Sequence, residues 1–238
     1  DKALSLAREN GFIIGESILM GNLGFMELEQ GNMDKALALH TKSLNLNRQV
    51  NYRQGEAYSL RNLGHIYYCK GQLDEANAYT KEALNIDEES KHKQGIANDY
   101  GMIALIMTKR GDMETAMLYI NKASEIYKDI GYRLGEVNLL GNVAVIHKNQ
   151  GRLNEALALH EKNLENCIGI GYKRGQAIQL HGIGNILKAQ GDFSNALKKY
   201  QLGAEISKDV KYIEGQIACI HEIAEIYRSQ GKLDDALE

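Results

Sequence analysis

The sequence contains no proline and no tryptophan. A chain of 238 residues without proline has nothing that must break a helix interior, and turn-rich strand folds are disfavoured. Cysteine is scarce: Cys69, Cys167 and Cys219 are far apart, odd in number and form no C-x-x-C pair. That usage speaks against a disulfide framework or structural zinc and suits a reducing compartment, so a cytoplasmic location is expected. No apolar run approaches the roughly 20 residues of a membrane span, and the start, Asp1-Lys2-Ala3-Leu4, is no signal peptide. No membrane partner is expected. Neither sign of charge dominates: 28 Lys and Arg against 31 Asp and Glu leave a net charge of −3. A nucleic-acid partner is therefore not expected either, because no whole-chain basic field exists.

What is present is a period. Glycine recurs every 40 residues at Gly31, Gly71, Gly111, Gly151, Gly191 and Gly231. Five residues after each stands an alanine: Ala36, Ala76, Ala116, Ala156, Ala196 and Ala236. A second glycine series keeps step at Gly15, Gly55, Gly95, Gly135, Gly175 and Gly215. A fixed period of this length marks a repeat architecture. Between the second glycine and the first, apolar residues recur at helical spacing, as in Leu60, Leu63, Ile66 and Tyr67. This segment is helix A. One position in its stripe is always small: Gly24, Gly64, Ala104, Ala144, Gly184 and Ala224. A mid-helix glycine costs about 1 kcal/mol against alanine, so its recurrence predicts a close helix contact.

The step Gly71-Gln72-Leu73-Asp74 and its equivalents predict a left-handed glycine closing helix A and a polar residue opening helix B. Helix B then runs to residues that tolerate positive φ, such as Asn51, Gly131 and Gly171. An aromatic follows in most repeats (Phe12, Tyr52, Tyr132, Tyr172, Tyr212, with His92 the exception) and is expected to plug successive repeats together.

These residues resemble the tetratricopeptide pattern W-x2-L-G-x2-Y…A-x3-F…P, whose period is about 34. Leu23-Gly24, Leu63-Gly64 and Ile183-Gly184 are similar to its leucine-glycine pair, and the alanine series matches its alanine. Met20, Leu60, Tyr100, Leu140, Leu180 and Ile220 fill the tryptophan slot; His40, Thr80, Ile120, His160 and Tyr200 fill the later aromatic slot. The final proline is missing and each repeat is longer, as in the Pins/LGN type of adaptor and many bacterial tetratricopeptide proteins. Sensor arms of signalling ATPases carry similar units. The resemblance implies an all-α, right-handed α-solenoid of antiparallel helix pairs, one domain over 1–238. Residues 1–10 are the end of a helix B, and repeats begin near 12, 52, 92, 132, 172 and 212, the last truncated. With Ala236-Leu237-Glu238 just entering another helix B, the sequence is expected to be a piece of a longer protein. Ile220, Ile223 and Ile226 are then poorly covered, and end-to-end self-association is open to it.

In tetratricopeptide arrays helices A line the concave face, so the resemblance places the binding residues there. In the N-terminal half these are Phe25, Tyr58, Arg61, Asn62, His65 and Tyr68, a mainly apolar and aromatic set. Farther on come Asn98, Asn138, Asn142 and Asn185, whose amides can bond both N–H and C=O of a peptide. Lys148, Lys188 and Arg228 share one phase and predict a basic ladder, flanked by His181 and His221. Gly21, Gly101 and Gly141 are expected to leave the floor open. A protein or peptide partner with an apolar part and an acidic part matches this face.

No cofactor, metal or catalytic residue is expected. His181 and His221 sit on different helices, with Glu225 one turn beyond His221, and are too loosely related for zinc. His147 and His160 fall on core-facing slots and predict a buried hydrogen-bonded pair. Glu16, Glu56 and Glu136 read as first-turn acids. Gly182-Ile183-Gly184 lies mid-helix and is no phosphate loop. The expected function is a non-enzymatic scaffold; the alternatives are a ligand-sensing arm of a signalling ATPase or protease and a self-assembling spacer.

Overall fold

A computed structural model describes residues 2–231, and Ala236 with the rest of the expected last helix lies outside them. Among the described residues every regular element is an α-helix. In order they are α1 (Lys2–Glu9), α2 (Ile13–Glu29), α3 (Met33–Gln49), α4 (Arg53–Cys69), α5 (Leu73–Glu89) and α6 (Lys93–Arg110). There follow α7 (Met113–Asp129), α8 (Arg133–Asn149), α9 (Leu153–Gly169), α10 (Lys173–Ala189), α11 (Phe193–Asp209) and α12 (Ile213–Ser229). Even-numbered helices are helix A and odd-numbered ones helix B. The chain forms two compact units, Asp1–Arg133 and Leu134–Glu238. Within each, consecutive helices pack together, and neighbouring helices A also touch, as α2 with α4 and α10 with α12.

The hairpins are antiparallel. Gly24 of α2 meets His40 of α3, while Glu27 meets Lys35, so advancing along one helix retreats along the other. The turn from A to B uses Gly31, Gly71, Gly111, Gly151, Gly191 and Gly231, all at φ between 74° and 86°. Only glycine adopts this region without strain, which is why the residue repeats. Asp112 and Asp192 then cap helix B by accepting from the backbone N–H of Thr115 and Asn195.

The second glycine series has a different reason. Helix A begins two residues ahead of it, so the glycine stands in the first turn instead of opening the helix. A Cβ at Gly15 would lie 2.2 Å from the Phe12 ring, and one at Gly55 2.5 Å from the Tyr52 ring. The same point is shared by the residue eight places back: Asn47 over Gly55, Asp87 over Gly95, Cys167 over Gly175 and Ser207 over Gly215. These glycines seat an aromatic and a helix B side chain side by side. Tyr212 adds a link between repeats, because Arg174 stacks 4.2 Å over its ring.

The small positions of helix A are close contacts, as their recurrence predicts. A Cβ at Gly64 would come within 2.7 Å of Thr80 Oγ1, and one at Gly184 within 2.5 Å of Tyr200 Cε1. His40, Thr80, Ile120, His160 and Tyr200, the later aromatic slot, are all buried. Ile226, expected to be poorly covered, is instead buried with Ala196, Tyr200 and Cys219; Ile220 remains half exposed. The Tyr200 ring cannot give way, because it is fully buried and its hydroxyl donates to Asn185 Oδ1. Gly184→Ala therefore gains about 1 kcal/mol of helix propensity but is overpacked by about 1–3 kcal/mol. A lower urea midpoint is expected; a raised one would show that the ring yields.

Candidate functional site

In the first unit, helices α2, α4 and α6 carry the residues expected to face a ligand. Of the apolar ones, Phe25 (45% exposed) and Tyr58 (39%) are open to solvent, and so is Ile18 of α2 (46%). They stand there because the core stripe of helix A is already filled by Leu60, Leu63 and Ile66, all at 0–1% exposure. The Asn62 amide is exposed beside Tyr58, its Nδ2 donating to Tyr58 O at 2.9 Å. Tyr68 lies under the Lys109 ammonium, 4.7 Å from the ring centre, and burial raises its phenol. His65 Nε2 sits 3.7 Å from Cys69 Sγ. Between α2 and α4 opens a cavity of about 280 Å³, lined by Ser17, Ile18, Asn22, Tyr52, Gln54 and Tyr58, with Ser43 and Asn47 of α3 also contributing.

Arg61 does not belong to that exposed set. Its Nε donates to Asp99 Oδ1 at 2.7 Å and its Nη2 to Asp87. The three side chains are 18%, 0% and 2% exposed respectively for Arg61, Asp99 and Asp87. Burial opposes the guanidinium charge, but Asp99 and Asp87 more than offset it and hold Arg61 above its ordinary value. Burial likewise pushes Asp99 up to about 7 against the pull of Arg61. His92 Nδ1 lies 3.0 Å from the other Asp87 oxygen. The guanidinium is thus spent inside the repeat stack. Asn98 is engaged as well, its Oδ1 accepting from Tyr127 O–H at 2.7 Å. Gly21 does not leave an open floor, for it is buried and the Tyr58 ring lies 3.2 Å from where its Cβ would be.

In the second unit the expected ladder is largely neutralised. Lys188 Nζ pairs with Glu222 at 2.6 Å and Arg228 Nη2 with Glu225 at 2.7 Å. Lys148 is half-buried, and no carboxylate among the described residues pairs with it. Asn185 accepts from Tyr200 and lies 3.4 Å from His181 Nδ1. Burial lowers the His181 imidazole. Asn138 and His221 are exposed and Asn142 is half-buried. Gly141 has the Gln179 and Asn163 amides beneath it at 3.5 and 3.7 Å, measured from where its Cβ would be.

The expected histidine pair is not made: His160 Nδ1 bonds Gln179 Oε1 at 2.8 Å, and His147 Nδ1 is buried without a partner among the described residues. Glu16 and Glu56 do more than favour a helix start. Each pairs with an arginine eight residues back, Arg8 at 2.6 Å and Arg48 at 2.8 Å. The described residues contain no group of three or more His, Cys, Asp and Glu able to hold a metal ion, and no helix long and apolar enough to cross a membrane.

Among solved structures the chain is similar to a Rap protein complexed with competence and sporulation factor. There the TM-score is 0.75 at 15% identity, covering 94% of this chain and 72% of that one. It is also similar to NprR in complex with its cognate peptide NprX, at a TM-score of 0.68 and 18% identity, covering 91% and 64%. A third is a signal transduction ATPase with a tetratricopeptide repeat sensor from Pyrococcus horikoshii, at a TM-score of 0.68 and 18% identity. That match covers 93% of this chain and 33% of the ATPase. At such identities the likeness carries the fold alone. No curated protein matches the sequence. The family model for the tetratricopeptide repeat matches residues 16–89 and 135–209, and the chain belongs to that family.

Proposed function

We propose that the chain is a non-enzymatic scaffold that holds a protein or peptide segment on the helix A face, with residues 1–238 working as one solenoid domain. The observation that carries this is the pairing of exposed apolar side chains with amides around one cavity, Ile18 and Tyr58 beside Asn22 and Gln54, with Asn62 next to Tyr58 on the same helix. Such a face offers an apolar anchor and hydrogen bonds to a backbone at once. The Rap protein and NprR were each solved with a factor or peptide bound, which supports the reading. The buried Arg61, Asp87 and Asp99 satisfy one another and are structural, not catalytic.

The acidic part of the partner narrows to a contact with Lys148, since Lys188 and Arg228 already face Glu222 and Glu225. The scarcity and wide spacing of Cys69, Cys167 and Cys219 suit a reducing cytoplasm. Leu6 and Phe12, at 62% and 59% exposure, give a second copy an apolar end to stack on.

Peptides selected by display on the full chain provide the test. Tyr58→Ala is expected to weaken the selected peptides by at least about tenfold, the loss of one aromatic anchor, and Asn62→Ala by several-fold. Leu118→Ala, on the exposed side of helix B, is the control. Affinity unmoved by both helix A variants would overturn the reading.

A further inference from the structure

We infer that the cavity between α2 and α4 is a subsite for a side chain ending in a primary carboxamide, Asn or Gln, on the bound segment. The inference rests on the helix A face being the binding face, and it adds a sequence preference to it. Asn47, only 2% exposed, forms part of the cavity floor. Its Nδ2 donates to Ser59 Oγ at 3.2 Å and to Ser43 Oγ at 3.4 Å, while Ser43 Oγ donates to Ser17 O at 2.8 Å. Its Oδ1 has no hydrogen-bond partner among the described residues.

Where other repeats carry an oxygen at this position, it is satisfied from within. Asp87 has Arg61 and His92, the Tyr127 hydroxyl has Asn98, and Ser207 donates to Gly203 O. Repeat one departs from that pattern and also has the cavity. A buried acceptor left unmet costs free energy that a donor from outside would recover.

The lining selects the donor. Every side chain around the cavity is neutral, so an ammonium, guanidinium or carboxylate would lose hydration with no opposite charge to meet it. Ile18, Tyr52 and Tyr58 provide apolar walls for an aliphatic stem. The rim amides of Asn22 and Gln54 can donate to an acceptor on the same tip. A group that donates at one end and accepts at the other is a carboxamide. Asn47 Oδ1 and the Tyr52 ring crowd one point above Gly55, 2.6 and 2.5 Å from where its Cβ would be. A donor therefore reaches the oxygen by turning that ring aside, and Tyr52 is the gate.

The probe is N-acetyl-L-glutamine N-methylamide, titrated into the full chain and followed by amide NMR at Asn47, Gly55 and Asn62. Saturable shifts at the Asn47 side chain and at Gly55 are expected, with the glutamate analogue at least about tenfold weaker. Asn47→Ser, which places in this repeat the residue that Ser207 supplies in another, should fold and lose the preference for the amide. Equal binding of the glutamate analogue, or no shift at Gly55, would overturn the proposal and leave a buried water as the partner of Oδ1. If selected peptides still move Asn62 while the glutamine probe moves nothing, the subsite fails and the groove stands; the reverse outcome separates them the other way.

Discussion

Replacing Arg61 with methionine is expected to destabilise the chain by about 3–5 kcal/mol at neutral pH, the usual cost of removing one partner from a buried ion pair. The carboxyl groups of Asp99 and Asp87, at 0% and 2% exposure, would be left facing each other without the guanidinium. Methionine keeps most of the side-chain volume, so the loss reports charge more than packing. The companion variant, Arg61→Met with Asp87→Asn and Asp99→Leu, removes the whole charged set. Leu139 and Asn47 already occupy the equivalents of Asp99 and Asp87 in other repeats. It is expected to recover most of the loss, because an apolar replacement of a buried ionic cluster is often neutral. Urea unfolding of the full chain measures both. A single variant within about 1 kcal/mol of wild type would show that water reaches the site and screens it.

The second large effect is one of pH. Burial raises Asp99 from 3.8 to about 7, so its folded state holds a proton that its unfolded state has released. The sign follows from linkage: the contribution is complete below the unfolded value and is lost as pH rises through the folded one. Across that window Asp99 removes up to about 4 kcal/mol from the fold at about 1.4 kcal/mol per unit. His40 acts in the opposite sense. Buried with both ring nitrogens unpartnered, it is lowered from 6.5 to about 4, and its contribution is lost as pH falls. The two slopes largely cancel in the wild type between pH 4 and 6.5. Asp99→Asn should uncover the histidine slope, so that its stability relative to wild type grows by several kcal/mol from about pH 4 to pH 8. Thermal midpoints of the two proteins at both pH values decide it; a constant difference would mean that Asp99 is ionised throughout.

The period carried the architecture because each repeat solves one packing problem with the same residues. Gly71 must turn, Ala76 must let two helices approach, and Gly64 must clear Thr80. A constraint repeated six times stands out of a single sequence. The role of Gly55 is not legible in the period, because spacing alone cannot distinguish a helix boundary from a seat for the Tyr52 ring. The place of Arg61 is hidden for a related reason. Helical phase sets where a Cα sits, whereas a guanidinium on a long stem can reach back into the core. The signal was there in Asp87 and Asp99, acids on buried slots where other repeats carry Asn47, Cys167, Leu139 or Cys219. Two acids in such slots require a cation nearby. Lys188 and Arg228 follow the same lesson, since a shared phase says nothing of Glu222 on the neighbouring helix or of Glu225 one turn back on the same one. The cavity floor is not legible in the phase of helix A, because Ser43 and Asn47 come from helix B.

The most direct examination of the helix A face uses a display-selected peptide carrying a photoreactive diazirine, cross-linked to the full chain and mapped by mass spectrometry. Adducts are expected on α2 and α4 around Ile18, Asn22, Tyr58 and Asn62. Adducts confined to the outward side of helices B, around Leu118 or Leu202, would contradict the proposed binding face.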